Sequence, residues 1–149
     1  MNPSDPLSPY THAHGPAWEP LLAAAWEARS RAHAPYSGFR VGAALVGSRG
    51  QVVGGCNVEN AAYPLCTCAE RGAVCAAVAQ GALAPGELVA LVVVTEAETL
   101  TPPCGACRQV LVEMAEDCPI LLANAHQRRL HRLADLLPEA FSRRHFRPQ

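Results

Sequence analysis

The run LVALVVVT, residues 88–95, constrains the fold of this 149-residue chain more than any other segment. It is apolar and rich in β-branched residues, and it lacks the alternation of polar and apolar side chains that a half-exposed strand shows. A strand of this kind is buried on both faces, so its sheet must carry helices on each side. The segment therefore predicts an α/β fold built around a central buried strand.

The other segments supply the rest of the sheet and its cover. An apolar stripe that begins at Trp18 has helical spacing, and it predicts a first helix that ends before Pro35. Further helices are predicted at residues 67–80, where Gly81 caps the end, at 104–116 and, briefly, at 134–137. The predicted strands are 38–47 and 51–58, joined as a hairpin, then 88–95, 119–124 and an edge strand at 128–133.

Length and composition indicate one domain, residues 17–149, after a Pro- and His-rich arm at residues 1–16 that we expect to be flexible. The net charge of −1 disfavours a nucleic acid polymer or a membrane surface as a partner. No apolar run is long enough to span a bilayer, and the N-terminus has no signal-peptide pattern. We therefore expect a cytoplasmic protein.

Seven cysteines are an odd number, and in a reducing compartment disulfides explain them poorly. Two clusters, CTCAERGAV at 66–74 and TPPCGACRQV at 101–110, each follow a predicted strand and open a predicted helix. Cys104 and Cys107 can face one point because they are three residues apart on a helix, and Cys68 can supply a third thiolate. Three soft ligands suit zinc and leave one tetrahedral position open.

An open position on zinc suggests catalysis, because the metal would bind water there and make it acidic. Glu70 can lie beside that water and carry its proton, although a glutamate in the first turn of a helix is also common for electrostatic reasons. Arg71 is placed to donate hydrogen bonds to the thiolates and to offset their charge. For Arg108 a surface ion pair is the favoured interpretation.

The combination of CxE with a later PCxxC is the signature of zinc deaminases in its cysteine-only form. The chain resembles the small homotetrameric cytidine deaminases in PYSGFRVGAALV, GCNVENAAYPLCTCAERGAV, PPCGACRQV and LLPEAF, from about residue 18 to residue 141. This resemblance implies a three-layer fold with a mixed five-stranded sheet and helices on both faces. It also implies an enzyme of pyrimidine salvage that acts on a free nucleoside.

The implied reaction is hydrolytic deamination of cytidine and deoxycytidine to uridine and deoxyuridine plus ammonia. Zinc-bound hydroxide would attack C4, with one zinc ion per subunit on Cys68, Cys104 and Cys107 and with Glu70 as the proton shuttle. The other implied contacts are Asn57 and Glu59 to the ribose, Phe39 against the pyrimidine, the Ala69 carbonyl to the C4 amino group, Tyr63 at the site mouth and subunit interface, and Phe141 in a neighbouring subunit's site.

The sequence also departs from the family pattern. Pro102 stands where serine is common, Gly72 where threonine is frequent, and SRRHF follows Phe141 in place of acidic residues. Cys66 is an extra thiol near the metal; as a fourth ligand it would displace water and give a non-catalytic zinc protein, so a packed free thiol is favoured. The remaining alternatives are a deaminase of the same fold acting on another aminated base or aminonucleoside, and a CxxC redox protein.

Overall fold

Five strands form one mixed sheet in the computed structural model, which describes residues 7–146. In spatial order, β2-β1-β3-β4-β5, β3 and β4 run parallel and the other neighbours run antiparallel. The long apolar run lies in the middle of the sheet, as predicted. The strands are β1 (Gly42–Gly47), β2 (Val52–Cys56), β3 (Leu88–Val94), β4 (Pro119–Ala123) and β5 (Arg128–Arg132).

Helices cover both faces of this sheet. One face carries α1 (Trp18–Ser30), and the other carries α2 (Ala69–Ala79), α3 (Gly105–Met114) and the short α4 (Leu133–Leu136). From Ala90 to Val94, successive β3 side chains enter the two apolar layers in turn, and each fully buried valine or leucine contributes about 1.5–3 kcal/mol. The predicted three-layer α/β fold is confirmed. Within residues 7–146 no helix is both long enough and apolar enough to cross a membrane.

The ends of β2 and β3 set the place where a site can form. Gly42, at the start of β1, pairs with Cys56 on one side and with Val94 on the other. The carboxyl ends of β2 and β3 therefore lie at the same edge of the sheet. The chain continues from these two ends toward α2 and α3, so both helices can begin near one point.

Several element boundaries differ from the predictions. The strand predicted at 38–47 begins at Gly42, because residues 38–41 form a loop that the side chain of Asn57 holds. The helices predicted from residues 67 and 104 begin at Ala69 and Gly105, since the residue before each keeps an extended backbone. The edge position of β5 is confirmed, and Arg128, Arg129 and Arg132 lie along this edge strand.

Residues 7–16 lie against α1. The Tyr10 and Trp18 rings meet edge to face with centroids 4.9 Å apart, and the Trp18 Nε1–H donates to the carbonyl of His12 at 3.0 Å. Leu7 and Ala13 pack against the same apolar cluster. Residues 1–6 lie outside the described part of the chain. The flexibility of an arm over residues 1–16, and the single domain over 17–149, stay predictions.

The backbones of β2 and α2 approach each other very closely, and this contact fixes the distance of α2 from the sheet. A Cβ atom added to Gly55 would lie 2.3 Å from the backbone nitrogen of Ala73 and 2.6 Å from the carbonyl oxygen of Ala69. Both neighbours are helix backbone and cannot rotate away. Only glycine fits at this position while α2 stays where it is.

We expect Gly55→Ala to lower the free energy of unfolding by about 3 kcal/mol, because α2 must move away from the sheet. Gly105→Ala is the matched control: a Cβ there meets no atom within 4 Å, and alanine is the better helix former. Urea denaturation of both variants and the parent at one protein concentration measures the difference. Equal unfolding midpoints for the two variants would contradict this account of the β2–α2 contact.

Candidate metal centre

The N-termini of α2 and α3 converge at the edge of the sheet, and a cysteine stands at the N-cap position of each helix. Cys68 precedes α2 with φ −73° and ψ 155°, and Cys104 precedes α3 with φ −66° and ψ 166°. Neither side chain is used to cap its own helix. Cys107 lies in the first turn of α3 and is fully buried. The partial positive charge of both helix ends favours thiolates here.

The spacing of the three thiols fits a tetrahedral zinc ion. Cys104 Sγ lies 3.9 Å from Cys68 Sγ and 3.6 Å from Cys107 Sγ, and all three sulfurs are within 4.8 Å of one another. With Zn–S bonds of about 2.3 Å, tetrahedral geometry separates two sulfur ligands by about 3.8 Å. In residues 7–146 no other group of three or more His, Cys, Asp or Glu side chains has such a spacing.

Cys66 does not belong to this group. Its Sγ accepts a hydrogen bond from the backbone nitrogen of Asn60 at 3.3 Å and donates to the carbonyl of Asn60 at 3.7 Å, and it forms no disulfide. Among residues 7–146, the group therefore consists of three cysteines, and Cys66 is not a fourth member. A zinc ion held by these three thiols would keep one tetrahedral position for a water molecule, as catalytic rather than structural zinc sites do.

Glu70 lies in the first turn of α2 with only 5% of its surface exposed. Burial raises the pKa of its carboxyl group, and hydrogen bonds from its own backbone N–H and from the Cys107 thiol offset part of that effect. A buried carboxyl group with a raised pKa beside a candidate metal site is typical of groups that carry protons in catalysis.

Arg71 lies beside the thiols. Its Nη2 donates to the carbonyl of Cys66 at 2.9 Å, and its Nε is buried without a hydrogen-bond partner among residues 7–146. Hydrogen bonding to Cys68 is the main cause that raises the pKa of Arg71, followed by the negative charge of the Cys68 and Cys107 thiolates. A guanidinium group in this position suits a centre that holds several thiolates.

The three thiols differ in acidity. Burial raises the pKa of Cys68 and Cys107, and the charge of Glu70 adds to the increase for both. Burial also acts on Cys104, but hydrogen bonds from the backbone N–H and thiol of Cys107 outweigh it and lower the pKa of Cys104. Cys104 therefore becomes a thiolate most readily.

Arg108 corrects one interpretation of the sequence. Its Nε donates to the carbonyl of Pro103 at 2.8 Å and its Nη1 to the carbonyl of Leu136 at 2.7 Å. Both partners are backbone oxygens, so Arg108 ties the residue before Cys104 to the end of α4. The favoured interpretation as a surface ion pair is wrong.

A cavity of about 350 Å³ opens beside the thiols. This volume lies within the range of about 300–1,000 Å³ that is typical of small-molecule sites. Five of the predicted functional residues line the cavity together with Cys68 and Cys104: Phe39, Asn57, Glu59, Ala69 and Glu70.

Asn57 and Glu59 also brace the loop that carries Phe39. Asn57 Oδ1 accepts from Val41 N, and Asn57 Nδ2 donates to Phe39 O, both at 2.8 Å. Glu59 accepts hydrogen bonds from the hydroxyl and N–H of Ser37 and from the N–H of Tyr36, and the Ser37 hydroxyl is the largest cause of its lowered pKa.

Sequence reasoning assigned no role to Ser37. Its hydroxyl accepts from Phe39 N at 3.0 Å, which is a local bond that serines in turns commonly make. The adjacent Gly38, with φ +69°, is the turn signal that could have indicated this contact.

Tyr63 and Phe141 lie away from the cavity that holds the thiols. Tyr63 is 67% exposed; it lines an adjoining cavity of about 280 Å³ and meets the Tyr36 ring edge to face at 5.7 Å. Phe141 is 58% exposed and stacks on His145 with centroids 5.2 Å apart. Both aromatic rings are therefore open to contact with another molecule.

Comparison with known proteins gives a consistent result. Residues 18–121 match the family model described as "Cytidine and deoxycytidylate deaminase zinc-binding region". The chain is 43% identical over 127 residues to the cytidine deaminase of Sporosarcina psychrophila, covering 84% of this chain and 91% of that protein. It is 44% identical over 124 residues to the cytidine deaminase of Mycobacterium tuberculosis H37Rv, covering 83% and 89%.

Solved structures resemble the fold over the same region. The crystal structure of cytidine deaminase from Burkholderia pseudomallei superposes with a TM-score of 0.78 at 50% identity, covering 82% of this chain and 97% of that one. The cytidine deaminase from Mycobacterium tuberculosis gives a TM-score of 0.70 at 44% identity, covering 83% and 96%.

We expect Cys104→Ala to lose zinc, because it removes the thiol whose Sγ lies within 4 Å of both other sulfurs of the group. Cys66→Ala is the matched control, since it removes a neighbouring thiol that lies outside the group. Zinc content per chain, measured by elemental analysis after gel filtration, should fall to near zero in the first variant and stay at one in the second. The reverse pattern would show that the ligand set has been assigned wrongly.

Proposed function

The chain belongs to the family of cytidine and deoxycytidylate deaminases, and on that premise we propose that it hydrolyses cytidine and deoxycytidine to uridine and deoxyuridine with release of ammonia. One observation carries the proposal: three thiols lie at tetrahedral spacing, and two of them, Cys68 and Cys104, line a cavity of nucleoside size together with the buried Glu70. Reactions of this type need an activated water, a proton carrier and a site that holds the base.

We infer that Cys68, Cys104 and Cys107 hold the zinc ion. A zinc ion with three protein ligands supplies an open position at which a water molecule becomes acidic. The guanidinium group of Arg71 offsets the negative charge of the thiolates through its contact with Cys68. Without that compensation three thiolates would weaken the pull of the metal on its water.

Glu70 moves the protons of the reaction. It accepts a proton from the attacking water and delivers it to N3 of the pyrimidine. It then takes the proton of the new C4 hydroxyl, so that C4 becomes a carbonyl, and passes it to the departing amino group, which leaves as ammonia. Burial raises the pKa of Glu70, so its carboxyl group accepts a proton more readily than an exposed glutamate does. Its place in the first turn of α2 keeps it close to Cys68.

The cavity wall supplies contacts for the nucleoside. Phe39 packs against the pyrimidine, and the carbonyl of Ala69 accepts from the C4 amino group. Asn57 and Glu59 bind the ribose. After their contacts with the loop at 36–41, the Asn57 amide keeps one N–H and the Glu59 carboxylate keeps lone pairs for hydroxyl groups. Polar groups of this kind discriminate against ligands that lack the hydroxyl.

A free nucleoside fits this cavity better than a nucleotide or a nucleic acid polymer. Two carboxyl groups, those of Glu59 and Glu70, line it and would repel a phosphate. We propose that the enzyme works in pyrimidine salvage in the cytoplasm, where free nucleosides are recovered.

We further propose that the protein is a homotetramer in which Phe141 reaches a neighbouring subunit's site and Tyr63 lines the interface and the site mouth. Support comes from the exposure of both rings and from their absence from the described lining of the chain's own thiol cavity. The carbonyl of Phe141 accepts from Gln109 Nε2 at 2.7 Å, so the segment that carries the ring is anchored to α3 while the ring faces outward.

Glu70→Gln should bind one zinc ion per chain, fold normally and lose cytidine turnover by about 10²–10⁴-fold, because the amide cannot carry a proton. The decrease in ultraviolet absorbance on adding cytidine measures turnover. Glu113→Gln, the same change at an exposed position of α3, should keep the parent rate. Turnover by Glu70→Gln at the parent rate would show that Glu70 does not carry the protons.

A separate assay of the parent enzyme with a panel of other aminated bases tests which substrate it prefers.

Mixing two inactive variants tests the role of Phe141. Phe141→Ala and Glu70→Gln should each be nearly inactive alone. If Phe141 acts across the interface, co-assembled one-to-one mixtures should regain activity at roughly a quarter of their sites, where an intact Glu70 meets a partner's intact phenylalanine. Gel filtration should show particles of four times the 15.8 kDa chain mass. Tetramers without regained activity would place the ring in its own subunit's site.

A further inference from the structure

The loop at residues 95–104 connects β3 to Cys104, and backbone–backbone hydrogen bonds hold it only at its two ends. In the described chain, residues 96–103 neither donate nor accept a backbone–backbone hydrogen bond. Pro102 and Pro103 have no N–H to donate. Cys104 Sγ nevertheless lies within 4 Å of two other thiols. Some other contact must hold the loop in position.

A pair of threonine hydroxyls closes the loop. Thr95 Oγ1 and Thr101 Oγ1 are 3.0 Å apart, and Thr95 is 1% exposed. The hydroxyl hydrogen of Thr95 has no other side-chain partner in residues 7–146, and a buried donor left unpaired is costly. We therefore assign Thr95 as the donor and Thr101 as the acceptor.

Two further side chains hold the loop from outside. Asn124, at the end of β4, donates through Nδ2 to the carbonyls of Ala97 at 3.0 Å and Glu98 at 3.2 Å. Arg108 holds the carbonyl of Pro103. The loop is thus attached to its surroundings at three points, all through side chains.

On the side of the loop that comes from β3, Thr101 is the attached residue nearest to Cys104 in the sequence. Only Pro102 and Pro103 separate them, and each proline ring fixes φ near about −65°. This short segment has few free rotations, so a displacement of Thr101 passes on to Cys104. Thr101 also lines the cavity beside the thiols.

We propose that Thr101 is a positioning residue of the zinc centre: its hydroxyl, held by Thr95, keeps the Cys104 thiol in place and slows the release of zinc. Loss of this contact would let the loop move and carry Cys104 away from the other two ligands more often. The inference rests on the proposed zinc ligands, but it does not depend on which nucleoside is the substrate.

The test measures how fast the full-length, zinc-loaded protein releases zinc to a chromophoric chelator. We expect Thr101→Val to release it about 10-fold faster or more, which is the usual scale for the partners that orient metal ligands. Thr99→Val makes the same chemical change at an exposed position of the same loop and should release zinc at the parent rate. Thr101→Ser keeps the hydroxyl and should also behave as the parent does.

A double variant separates positioning from the cost of an unpaired hydroxyl. Thr101→Val leaves the buried Thr95 donor without an acceptor, so the metal-free protein should melt at a lower temperature. Adding Thr95→Val removes that donor, and the melting temperature of the metal-free protein should recover toward the parent. Zinc release should stay fast in the double variant, because the contact that holds the loop is still missing.

Each outcome decides the matter. A double variant that releases zinc at the parent rate overturns the proposal, and it still serves as the test if Thr101→Val alone does not fold. If the parent protein binds zinc and every variant releases it at the parent rate, this inference is wrong but the ligand assignment stands. A parent that binds no zinc overturns both the ligand assignment and the inference built on it.

Discussion

Two helix N-termini that meet at one edge of the sheet make the chemistry of this protein possible. Gly42 separates the carboxyl ends of β2 and β3, so the segments that leave these strands enter α2 and α3 close together. Each helix begins directly after a cysteine, and its end favours a thiolate. A site assembled in this way depends on sheet topology rather than on any single loop.

The charges at this point must balance. Three thiols and the Glu70 carboxyl group lie close together, with Cys107 and Glu70 buried, Cys68 half-buried and Cys104 exposed. Burial raises the pKa values of Cys68, Cys107 and Glu70. The guanidinium group of Arg71 and the two helix ends provide part of the opposing charge. A divalent cation on the three thiols would supply the rest, and it would stabilise the fold here because it relieves repulsion among groups that the fold forces together.

Sequence analysis correctly predicted the features that depend on local residue patterns and on spacing along the chain. The uninterrupted apolar run of β3 located the centre of the sheet, and the spacing of Cys104 and Cys107 after Cys68 predicted the thiol group that the structure contains. The contacts of Arg108 and the pairing of Thr95 with Thr101 were not predictable, because each joins groups whose positions are set by the whole fold. The brace formed by Asn57 and Glu59 was missed for the same reason.

The arginine-bearing edge strand bears on how copies of this protein can associate. An unpaired strand edge is a template for joining sheets end to end, and cationic side chains along β5 oppose that process by mutual repulsion. Arg128 forms an ion pair with Glu19, and Arg132 forms one with Asp117. These pairs offset part of the repulsion among the arginines, so the cationic edge lowers the stability of the fold only a little. The exposed edge of β5 is therefore protected against pairing with the sheet of another copy, and any association of copies is left to other surfaces.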